Sequence, residues 1–324
     1  MDFRYREIIR PRIVNFTISI VLAVILWGHE LFSSPDDTSV LLANKLIQIT
    51  FNTSWIALLY TLCVAYLLFR FFEHFSFVQN RSFLPFFFFI VFTGTTPLLH
   101  YLSDGYIGFL FFFLSFWQIF SSFHKNEPTD KYFNAGFFFS ISYFFVFDYI
   151  FLVPILFIAI YIINNLTLRS FLAALLGLLT PVALIFGICF WIGCLDWQID
   201  YFMRGMTFLF DYASINPNRI IYLVVFTILM FFAINRCLRD RYNSSIVARK
   251  NLQILIWLFS AFIILIWVRM AQEASIIYSF LAICSVIWAI YFSSRFSKKE
   301  IILFVILIAW QVVFLILDYN GQLN

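Results

Sequence analysis

Residues 135–163 read AGFFFSISYFFVFDYIFLVPILFIAIYII, a run of 29 residues whose only charge is Asp148. Crossing the hydrocarbon core takes roughly 20 consecutive apolar residues as helix, so the run is too long for one upright span and short for two. A single crossing or a break around Phe147-Asp148-Tyr149 are both sterically open. The choice decides the side of the membrane on which every later loop lies.

Nine further apolar blocks flank this run, at about 13–32, 49–72, 83–100, 106–123, 170–192, 220–235, 251–268, 275–292 and 301–317. Charge selects between the two topologies. A break into a short hairpin puts 17 of the 21 Lys and Arg residues on the side of the N-terminus and leaves Lys45, Arg204, Arg219 and Arg269 opposite. A single crossing would move Arg236, Arg239, Arg241, Arg249 and Lys250 across. Cytoplasmic loops carry the excess of Lys and Arg, so the hairpin is favoured and the N-terminus is cytoplasmic. The expectation is an all-α polytopic bundle with about eleven crossings, two of them short, in a single domain spanning 1–324.

Composition agrees. Of 324 residues 63% are hydrophobic and 12% charged, about half the charged share of an ordinary soluble domain. The balance of 47 Phe to 10 Gly favours bulky helices over small-residue interfaces. The basic residues sit in short connections between apolar blocks, which explains the net charge of +4 by orientation and excludes nucleic acid as partner. Cys63, Cys189, Cys194, Cys237 and Cys284 show no zinc or disulfide spacing. The run from Ile13 to Phe32 is longer than a signal-peptide core, and reads as a retained first span.

The acids gather outside. Ten of the 17 Asp and Glu fall there in this topology. The first outer connection, Trp27 to Asp37, holds His29, Glu30, Asp36 and Asp37. The second, His100-Tyr-Leu-Ser-Asp104-Gly105, is a tight turn. Carboxylates with a nearby His suit a hard divalent cation held through oxygen, with Asp36 and Asp104 as ligands. Asp36 or Asp37 also suits a general base. Pro-Asp-Asp and Ser-Asp-Gly are equally ordinary turn sequences. The third connection, Leu195 to Asn218, steps Asp196, Asp200, Arg204, Thr207 and Asp211 at helical spacing between aromatic residues. That pattern describes a helix lying in the interface, with Arg204 either offered to a lipid phosphate or simply facing water. Asp148 is either a functional acid at membrane depth or the tip of a hairpin in a water-filled dip.

The order of these features resembles the GT-C class of polytopic glycosyltransferases: an acidic loop after span one, an acid near span three, and a Gly-led hairpin, here Ala135-Gly136 to Pro154. A further span, Arg169 to Pro181, follows. The likeness covers about 13–192, with the spans at 220–317 outside it. It implies a polyprenyl-phosphate-linked substrate, with Asp36 or Asp37 and Asp104 as the acids and Arg204, Arg219 or Arg269 on the lipid phosphate. In finer detail, Asn134-Ala-Gly136 through Pro154 and Leu176-Gly177 through Pro181 are similar to an uncharacterised family of Bacteroidota inner-membrane proteins. That likeness implies a location in the inner membrane and no activity. Two readings follow: an envelope-biogenesis protein handling a lipid-linked glycan at its periplasmic face, or a non-catalytic scaffold whose Phe-rich faces dock membrane partners.

Overall fold

The computed structural model describes residues 13–32, 40–42, 47–49, 53–77, 82–123, 128–164, 167–193, 217–240, 244–269, 274–294 and 298–319, with positions 196, 199 and 203. In chain order the helices are α1 (Ile13–Leu26), α2 (Gly28–Phe32), α3 (Thr53–His74), α4 (Leu84–Gly94), α5 (Asp104–Phe120), α6 (Thr129–Phe145), α7 (Val153–Asn164), α8 (Leu168–Ile192), α9 (Pro217–Asp240), α10 (Ile246–Arg269), α11 (Ala274–Ser294) and α12 (Lys298–Tyr319). Short 3-10 segments lie at Pro97–Leu99 and Phe147–Leu152. The architecture is all-helical as expected, with one short ribbon beside the helices: β1 (Val40–Leu42) and β2 (Ile47–Ile49) pair antiparallel, Val40 opposite Ile49. Val40, Ile47 and Ile49 are β-branched, which suits a pleated ribbon.

Among the described residues, six helices are long and apolar enough to cross a membrane: Ser54–His74, Leu168–Ile192, Ile221–Asp240, Ile246–Val268, Ala274–Ser293 and Glu300–Leu317. Shorter apolar helices lie at Ile13–Leu26, Leu84–Gly94, Asp104–Phe120 and Phe147–Ile163. The architecture is that of a helical membrane protein.

The 29-residue run does break. Helix α6 stops at Phe145, Val146 is extended (φ −131°, ψ 95°), and the 3-10 segment follows. Pro154 has no N–H to give Ile150, so a helix continuous through this point would lose a bond and meet the proline ring. Placed in the first turn of α7, the same proline costs nothing. Asp148, in the break, is 3% exposed and therefore out of water.

The described residues group into two compact units. The first takes 1–103, 213–255 and 280–324. Within it α4 packs on α1, α3 and α12, and Phe88 stacks on Phe92 and Phe292 at 5.8 and 5.5 Å. Asn251 Nδ2 donates to the Phe75 carbonyl (3.0 Å), closing the end of α3.

The second unit takes 104–212 and 256–279. Helix α6 lies between α5 and α8. Its approach to α8 is set by two glycines: a Cβ on Gly136 would stand 2.2 Å from the Ala174 carbonyl oxygen, and one on Gly177 would stand 2.1 Å from that of Phe133. Helix α8 is delimited by a capping box of Thr167 with Ser170 and by Gly193 at φ +80°, the left-handed conformation glycine tolerates. Tyr149 hydrogen-bonds Ser279 beneath the break.

Candidate functional site

Helix α4 is only 11 residues long, and ten of them are buried. At 1.5 Å per residue it covers about half the hydrocarbon thickness. A helix that ends at such depth leaves carbonyls that lipid cannot satisfy. The Thr93-Gly94-Thr95-Thr96-Pro97 sequence supplies the answer locally. Thr93 Oγ1 donates to the Phe89 carbonyl (2.7 Å), Thr95 Oγ1 lies 2.9 Å from that of Val91, and Thr96 Oγ1 donates to that of Phe92 (2.9 Å).

The carbonyl of Gly94 takes its partner from further along the chain. His100, fully buried, donates from Nε2 to it at 3.2 Å. On the other side of the ring, His100 Nδ1 lies 2.9 Å from Glu30 Oε2. Trp27 stacks on the imidazole, 4.3 Å between centroids. A carbonyl only accepts, so Nε2 must carry a hydrogen. The other oxygen of Glu30 lies 3.9 Å from Nδ1 of His29, whose side chain is 70% exposed. Glu30, itself 7% exposed, therefore stands between a buried and a water-facing imidazole. That is an arrangement through which a proton can be taken up or handed on.

A second polar contact fixes the same end of α4. Thr95 Oγ1 and the Tyr222 hydroxyl both approach Gln311 Oε1, at 2.9 and 3.0 Å. They tie α4, α9 and α12 together through one fully buried amide. The Gln311 nitrogen has no hydrogen-bond partner among the described residues.

In the second unit, Gly105 packs against Ser275, Gly108 against Val146, and Tyr106 against Tyr278 (4.5 Å between ring centroids). The start of α5, the break at Val146–Tyr149 and the start of α11 thus converge. Asp104, the first residue of α5, is half-buried there, where a helix N-terminus favours a carboxylate.

Of the residues expected from sequence, Asp36, Asp37 and Arg204 lie outside the described residues. Arg219 falls in the first turn of α9 and Arg269 ends α10, both with undescribed side chains. The interfacial pattern at 195–218 also lies largely outside them. Glu30, from the segment after α1, and His100, from the segment between α4 and α5, do meet. The sequence placed both residues in the right segments, but only burial distinguishes His100 from a turn residue at a membrane edge. No group of three or more His, Cys, Asp or Glu that could hold a metal ion occurs among the described residues.

No curated protein and no solved structure matches this chain. Residues 38–319 match a family of unknown function, DUF6427, and the chain belongs to that family.

Proposed function

We propose that this protein works in envelope biogenesis in the bacterial inner membrane, handling a polyprenyl-phosphate-linked glycan at its periplasmic face. The observation that carries this reading is the Glu30–His100 pair. It joins the two outer connections whose acids the sequence singled out, at the end of a half-length helix whose carbonyls are satisfied in place. Irregular backbone at membrane depth is tolerated where it is buried in protein or lines a cavity, and ionisable groups there carry function by default.

In this reading the chain crosses about eleven times with its N-terminus in the cytoplasm. Glu30, poised between His29 and His100, accepts a proton from an incoming hydroxyl. Asp36 or Asp37 serves as an additional base, Asp104 as a ligand for a divalent cation, and Arg204, Arg219 or Arg269 neutralises the lipid phosphate, a task suited to a guanidinium fork.

The test is native mass spectrometry of protein purified gently from its own membranes. Wild type is compared with Glu30→Gln and with Asp36→Asn/Asp104→Asn. A co-purifying polyprenyl-phosphate species that changes in amount in these variants supports the proposal. A stoichiometric protein partner, unchanged in the variants and with no such lipid, supports the non-catalytic scaffold instead. That second reading rests on apolar faces such as that of α8, where Leu172, Leu176, Leu179, Leu184 and Ile188 are all exposed.

A further inference from the structure

We draw no further inference here: the strongest candidate, the fully buried Gln311 side chain where α4, α9 and α12 meet, whose amide nitrogen has no hydrogen-bond partner among the described residues, carries nothing, because its oxygen already serves the tie between these helices and nothing in the structure shows what its nitrogen faces.

Discussion

At the scale of single residues, His100 shows how far burial can change the meaning of a side chain. With a carbonyl on one nitrogen and a carboxylate on the other, it fastens the segment after α1 to the end of α4. Removing one member of a buried pair strands the other. His100→Ala and Glu30→Gln should therefore each lower stability by about 3 kcal/mol or more. His29→Ala, at a side chain 70% exposed, should stay within about 0.5 kcal/mol of wild type. Thermal unfolding in detergent measures all three. A His100→Ala protein as stable as wild type would mean that the contact contributes nothing to the fold. Glu30 and His100 both stood in segments that the sequence marked, because His and Glu beside Pro-Asp-Asp and Ser-Asp-Gly advertise the membrane edge. Their pairing was not legible. It joins positions 70 residues apart, and hydropathy carries no information about which loop meets which.

At the scale of elements, close approach of helices explains two glycines in a chain that otherwise prefers phenylalanine. Gly136 on α6 and Gly177 on α8 face each other's backbone, with room for no methyl group. Gly136→Ala and Gly177→Ala should each destabilise by roughly 1–3 kcal/mol, because rigid backbone rather than a flexible side chain stands in the way. Gly187, on the same helix α8, has nothing within 4 Å of an added Cβ. Gly187→Ala should be neutral or should stabilise by up to about 1 kcal/mol through helix propensity alone. Equal losses at Gly177 and Gly187 in a thermal-unfolding series would refute the packing account. Both close-packed glycines lie in the stretches whose resemblance to an uncharacterised family was visible in the sequence.

At the scale of the whole molecule, the distribution of charge makes the topology testable. If the 135–163 run crosses the membrane twice, as the charge balance favours, the connection between α9 and α10 lies in the cytoplasm. Ser245→Cys, exposed in that connection, should resist a membrane-impermeant maleimide in intact cells and react after permeabilisation. Reaction in intact cells would mean that the run crosses once, and that the positive-inside balance has been misread. The sequence by itself determined that this is a helical membrane protein, where its apolar helices run, and that the long run breaks near Asp148. Hydropathy, proline and charge act locally or along the chain, and so are written in its order. Only the tertiary structure decided that α4 ends in a self-capped turn, that Glu30 and His100 form a buried pair, and that Gln311 ties three helices together. Each depends on which helices lie side by side, and continuous apolar faces leave that choice to side-chain shape and to the few polar groups that must find partners away from water.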